Sequence, residues 1–236
     1  MNSPASTINL RDRLIIALDV PSQNAALDLV SLLSGTVSIY KIGLQLYTIA
    51  GPEIVRRVAA TGAKVFLDLK LHDIPNTVAK AVTAANELGV QMLTLHLSGG
   101  RPMLEAAAKA GSPNLLLLGV TVLTSMTDET LRETGVHSML EEQVARLAEL
   151  GNQSGIRGLI TSPHEVPLLR KLLGPEMTLV TPGVRPDWAD ANDQKRFTTP
   201  QAAFKSGADY LVIGRPITAA TDPRGAMERL INEIQL

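Results

Sequence analysis

Cysteine is absent from the 236 residues. Disulfides, thiolate metal sites and cysteine nucleophiles are therefore excluded, and a reducing compartment fits. No excess of either charge exists: 22 basic residues oppose 23 acidic ones, for a net charge of -1. That balance offers no electrostatic footprint for nucleic acid or an anionic membrane. It leaves room for a small basic site that takes an anionic ligand. Long apolar runs are also lacking. The most apolar stretch, "LLLLGVTVL" (115–123), is far shorter than the roughly 20 residues needed to cross a bilayer. The start, "MNSPASTINLRDR", is polar and has no signal-peptide apolar segment. We expect a soluble cytoplasmic protein. Recurring catalytic signatures are missing too: no nucleophile elbow, no dinucleotide fingerprint, and no His/Asp/Glu cluster at metal-ligand spacing.

What is present is apolar and regularly punctuated. Hydrophobic residues make up 45% of the chain, enough for a large core. Short β-branched and leucine-rich runs recur at 13–20, 38–44, 63–71, 92–97, 115–123, 158–163, 178–184 and 210–217. Each reads as a strand. Helix-like segments lie between them. Residues 22–35 close on Gly35, and 76–89 follow Pro75 and stop at Gly89. Residues 138–151 open with Ser138 and Glu141 at capping-box spacing, then place Leu140, Val144, Leu147 and Ala148 on one face. Strands alternating with helices predict an α/β protein with a parallel sheet. The count of eight favours a closed (β/α)8 TIM barrel over an open doubly wound sheet. We expect a single domain over 1–236, with a short polar N-terminal tail over about 1–12.

Polar residues concentrate at the ends of these runs: Asp19, Lys41, Asp68 and Lys70, His96, Thr124, Arg185 after Pro182–Gly183, and Gly214–Arg215. In a barrel such ends form one ring around one mouth. The third run is the most telling. Side chains alternate along a strand, so Val65, Leu67, Leu69 and Leu71 share one face and Phe66, Asp68 and Lys70 the other. The apolar face suits packing helices, which directs the charged face into the barrel. A solvated charged face is the alternative, disfavoured by the apolar sequence on either side. Residues i and i+2 lie about 7 Å apart along a strand, so both charged heads can reach one ligand.

The eighth run ends in "VIGRPI". Gly214 admits a ligand close to backbone N–H groups, and Arg215 offers a planar fork for phosphate. Barrel phosphate sites often follow strands seven and eight. The connection between those strands, 181–200, is long, polar and rich in Gly, Pro and Asp, and reads as a loop able to close over a ligand. Its Arg185 could add a second cation. His96 reads equally well as a hydrogen-bonded structural residue or a site residue. His72, His137 and His164 read as surface residues, and "SGGRP" (98–102) as a strand-to-helix turn in preference to an anion-binding turn.

The segment "FLDLKLHDIPNT" (66–77) resembles the D-x-K-x-x-D-I-P-N-T signature of the orotidine 5'-phosphate decarboxylase family. "IALDV", "YKIGLQL", "TVLTSM", "TPGVRP" and a terminal "IGRPI" follow that family's order over nearly the whole chain, as in its bacterial branch. The resemblance implies a (β/α)8 homodimer that converts orotidine 5'-phosphate (OMP) to uridine 5'-phosphate (UMP) and carbon dioxide without cofactor or metal. It implies Lys70 as proton donor, Asp68 beside the departing carboxylate, and Asp73 reaching into the neighbouring subunit's site. Asp19 and Lys41 would bind ribose hydroxyls, with Thr77 contributing across the interface. Thr124 would meet the pyrimidine edge. Arg185, Gln194, Gly214 and Arg215 would hold the phosphate, with Gln194 on the closing loop. A related sugar-phosphate decarboxylase branch shares the Asp-x-Lys-x-x-Asp series but uses magnesium, with an acidic ligand on the second strand. Here that position corresponds to Lys41, a poor neighbour for a cation. A non-catalytic nucleotide-binding barrel would keep the phosphate residues and have no need of Lys70 between carboxylates.

Overall fold

Apolar runs too short for anything but strands, each followed by an amphipathic segment, build a sheet that curls until its edges meet. The computed structural model describes residues 9–189 and 198–235. Its strands are β1 (Leu14–Ala17), β2 (Ile39–Gly43), β3 (Lys64–Leu71), β4 (Met92–His96), β5 (Leu116–Val120), β6 (Gly158–Ile160), β7 (Thr178–Thr181) and β8 (Tyr210–Ile213). They form a closed barrel in sequence order, each neighbouring pair parallel, with β8 returning to β1. The expected (β/α)8 architecture is therefore met. Every strand lies inside one of the eight runs read from the sequence; Asp19, Thr124, Arg185 and Gly214 fall past the strand ends, whereas Lys41, Asp68, Lys70 and His96 lie within β2, β3 and β4.

The helices are α1 (Gln23–Leu32), α2 (Leu44–Ala59), α3 (Pro75–Glu87), α4 (Gly100–Ala110), α5 (Asp128–Glu133), α6 (Leu140–Gln153), α7 (Val166–Leu173), α8 (Pro200–Lys205), α9 (Arg215–Thr218) and α10 (Pro223–Gln235). Among the described residues, none is long and apolar enough to cross a membrane. Ser22 caps α1 by accepting from the Ala25 N–H at 3.2 Å. The capping box expected at Ser138 and Glu141 does not form. Met139 is the N-cap of α6, and no side chain caps it. Instead, the Leu140 N–H donates to Asp128 Oδ1 of α5 at 2.6 Å, and Ser138 turns to Gln143. A carboxylate from the preceding helix has taken over the capping, which no local spacing could reveal.

Strand alternation separates two apolar layers. Ile15, Ala17, Ile39, Phe66, Met92, Leu118, Val180 and Val212 fill the barrel interior. Val65, Leu67, Leu93, Leu117 and Leu179 pack outward, in a larger cluster that includes helix residues such as Val82, Leu104, Val144 and Leu169. The strand-three parity thus holds, with Phe66 inside and Val65 and Leu67 outside. At the amino ends of the strands, polar clasps close the barrel. Arg170 bonds Asp209 at 2.7 Å and the carbonyls of Met177 and Gly207, and Arg13 donates to the carbonyls of Ala208 and Asp209.

One contact in the outer layer depends on two missing side chains. Leu97, fully buried in the turn after β4, wedges between β5 and α6. A Cβ at Gly119 of β5 would lie 2.5 Å from Leu97 Cδ2 and 2.8 Å from Cγ, and one at Gly151 of α6 would lie 2.7 Å from Cδ2. Overpacking of this kind costs about 1–3 kcal/mol. Gly119→Ala should lower unfolding stability in urea by that amount. In a Leu97→Ala background the same substitution should cost less, because the wedge is gone. Additive losses would show that Leu97 does not occupy the space.

Candidate active site

The barrel's carboxyl end carries an alternating ladder of charges drawn from three adjacent strands. Asp19, just past β1, accepts from Lys41 Nζ of β2 at 3.1 Å. Lys41 Nζ also lies 3.6 Å from Asp68 Oδ2 of β3. Lys70 Nζ reaches both oxygens of Asp68, at 2.8 and 2.9 Å. Parallel pairing explains part of this. Ala17 lies opposite Lys41, and Gly43 opposite Asp68, so the inward residues of β1, β2 and β3 stack at neighbouring levels.

Lys70 needs more than pairing. β3 and β4 run in register at Phe66–Met92 and Leu67–Leu93, then slip, so that Leu71 meets Leu95. Within this bulge Lys70 takes φ of 52°, and it is the sole non-glycine residue with positive φ among those described. That conformation costs about 1–2 kcal/mol for an L-residue. Its backbone N–H is satisfied by the Thr94 Oγ1 of β4 at 2.9 Å, and the Thr94 hydroxyl donates to Asp68 Oδ1 at 2.9 Å.

Burial alone would push the Asp68 carboxyl up. The charges of Lys41 and then Lys70, with the hydrogen bonds from Lys70 and Thr94, outweigh it and hold the group below the usual carboxylate range. Asp68 is therefore an anion at neutral pH although its side chain is only 12% exposed. His96 is half-buried, with its ring centroid 5.5 Å from that of His72. Burial first, then the charges of His72 and Lys70, shift its imidazole downward, so it is neutral beside the ladder. His72, His137 and His164 are exposed, as expected.

A cavity of about 330 Å³ opens above the ladder. Of the residues singled out from the sequence, Asp19, Lys41, Asp68, Lys70, Thr124, Arg185, Gly214 and Arg215 line it. Phe66, Val120, Ile160 and Val212 supply apolar wall. Ammonium groups thus stand on the β2–β3 side and guanidinium groups on the β7–β8 side. Arg185 is buried at 4% exposure, and its backbone N–H donates to Thr198 O at 3.0 Å. Arg215 opens α9 and is exposed. Asp73 and Thr77 do not line this cavity. Both are exposed, and Asp73 Oδ1 accepts from the Ile74 N–H at 2.6 Å. Gln194, and most of the connection read as a closing loop, lie outside the described residues.

Sequence reasoning missed Thr94 and Thr218. Alternation along β4 puts Thr94 on the inward face with Met92, and that signal was legible; the bulge that recruits it was not. Thr218 lines the cavity from α9, a helix of one turn that no periodicity announces. Among the described residues no group of three His, Asp or Glu is placed to hold a metal ion.

Known proteins share this arrangement of chain. The orotidine 5'-phosphate decarboxylase of Opitutus terrae is 53% identical over 225 residues, covering 94% of this chain and 98% of that protein. The enzyme of the same name from Syntrophotalea carbinolica is 48% identical over 235 residues, covering 96% of each. The crystal structure of orotidine 5'-phosphate decarboxylase from Lactobacillus acidophilus superposes with a TM-score of 0.85 at 36% identity, over 95% of this chain and all of that one. Residues 12–230 match the sequence model described as the orotidine 5'-phosphate decarboxylase / HUMPS family. With a match of that extent and full-length relatives near half identity, the chain belongs to the orotidine 5'-phosphate decarboxylase / HUMPS family.

Proposed function

We propose that this chain decarboxylates orotidine 5'-phosphate to UMP and carbon dioxide, the last step of pyrimidine nucleotide synthesis. The observation that carries the reading is the ammonium of Lys70, held by both oxygens of Asp68 within the cavity. In the reaction the bond from C6 to the carboxylate carbon breaks and its electron pair stays on C6. Carbon dioxide leaves, and a proton passes from Lys70 Nζ to C6; solvent restores the lysine proton. The pyrimidine cannot spread that pair effectively, so a fixed cation beside C6 stabilises the charge as it develops.

Asp68 could also repel the substrate carboxylate. Two like charges 4 Å apart interact by about 4 kcal/mol at an effective dielectric near 20. Asp68 already faces two ammonium groups, at 2.8 and 3.6 Å, which offset much of that repulsion. Carbanion stabilisation therefore bears the greater weight, and Asp68 serves chiefly to hold the donor.

In this reading Arg185, Gly214 and Arg215, with Gln194, grip the phosphate. Asp19 and Lys41 take the ribose, and Thr124 the base. Phosphate binding energy, remote from C6, organises the site. The chain works as a homodimer in which Asp73 and Thr77 serve the other subunit's site. Their exposure, beside an Ile74 that is 66% exposed, supports a covered rim. The magnesium-dependent branch of the family is disfavoured by Lys41, whose ammonium occupies the place of a metal ligand.

Purified protein in EDTA should bleach the absorbance of orotidine 5'-phosphate. Activity that disappears with EDTA and returns with magnesium would favour the other branch. Arg215→Ala should lose at least tenfold more activity on the phosphorylated substrate than on the bare nucleoside; equal losses would remove Arg215 from the phosphate site. Mixing Asp73→Asn with Lys70→Ala subunits should restore part of the activity, since one site in each mixed dimer regains both residues. Confirmed mixed dimers without activity would contradict shared sites.

A further inference from the structure

We infer that Thr94 is a positioning residue for the proton donor, its one hydroxyl fixing both the backbone and the side-chain end of the Asp68–Lys70 pair. The inference rests on the decarboxylase reading above. Thr94 is fully buried and does not line the cavity, so contact with substrate is not its role. Its Oγ1 accepts from the Lys70 N–H and donates to Asp68 Oδ1, each at 2.9 Å. Lys70 Nζ closes the circuit onto Asp68 at 2.8 Å. A hydroxyl has one proton to give; here it goes to the carboxylate, and a lone pair takes the amide.

The bulge makes this hydroxyl necessary. On β3 the Lys64 N–H faces β2, donating to Ser38 O, and regular alternation would aim the Lys70 amide the same way. The slip between Leu67 and Leu71 turns it instead toward β4, where the acceptor is the Thr94 hydroxyl rather than a ladder carbonyl. Without it a partly buried N–H stands unpaired at the one described non-glycine residue with positive φ. The backbone would relax toward extended geometry, and Lys70 would leave the position from which its ammonium reaches both oxygens of Asp68. Asp68 would at the same time lose a fixed donor and gain rotational freedom. Both changes displace the ammonium from the reacting carbon, while the groups proposed to hold the phosphate stay in place across the cavity and Lys41 keeps its bond to Asp19.

The test uses the full-length protein and orotidine 5'-phosphate, with the wild type assayed first. Thr94→Val keeps the shape and deletes the hydroxyl. It should lower kcat about tenfold to a hundredfold, the scale of a misplaced catalytic group, with KM and the Kd for UMP within about threefold. Thr94→Ser should return kcat to within about threefold of wild type. Thr94→Val with kcat within twofold of wild type would overturn the inference. So would a serine variant as slow as the valine one, or a loss confined to KM. Should Thr94→Val fail to fold, Thr94→Ser and Thr94→Ala differ by the hydroxyl alone, and equal kcat in that pair would overturn it equally. An inactive wild type would defeat the decarboxylase reading; an active wild type with an indifferent valine variant would defeat only the role of Thr94.

Discussion

Asp68 sits between two ammonium groups and a hydroxyl, and the candidate site is organised around that one buried carboxylate. A half-buried lysine would otherwise be free to sample rotamers, at a cost of up to about 2 kcal/mol to fix. The carboxylate removes that freedom and stabilises the ammonium charge. It in turn needs cations on either side, because burying an unpaired anion costs several kcal/mol. Asp68 and Lys70 each fix the other's position, with Lys41 and Thr94 completing the set around the carboxylate.

The barrel serves this pair in two ways. Its parallel pairing brings the ends of β1, β2 and β3 to one rim, so residues far apart in sequence meet at salt-bridge distance. Its closure places the β7 and β8 ends opposite, where Arg185 and Arg215 line the far side of the same cavity. An elongated ligand with an anionic group at one end and a reacting carbon at the other suits a site with cations at both ends and apolar wall between. The amino end of the barrel is tied by Arg13, Arg170 and Asp209, and the candidate site lies at the opposite rim.

Much of this was legible in the sequence. Eight apolar runs with helical segments between them sufficed for the barrel, because hydrophobic periodicity reports local geometry directly. Alternation over Val65–Leu71 assigned Asp68 and Lys70 to the inward face, and both line the cavity. Cross-strand partners were harder to read. Thr94 is 24 residues from Lys70 in sequence, and nothing in "MLTLHL" marks a slip in register against β3. The false capping box at Ser138 has the same origin: a carboxylate 12 residues upstream of Leu140 takes over the helix start. Tertiary partners override local pattern wherever a polar group is buried.

The central claim is that the Lys70 ammonium does the chemistry while other groups bind the nucleotide. It is tested most directly by comparing turnover of orotidine 5'-phosphate and affinity for UMP in wild type and Lys70→Ala. A positioned general acid contributes roughly 10²–10⁴-fold, and charge stabilisation by the same group adds to that. The account predicts a loss of turnover of about a thousandfold or more, with UMP still bound. Turnover near the wild-type rate in Lys70→Ala would contradict it.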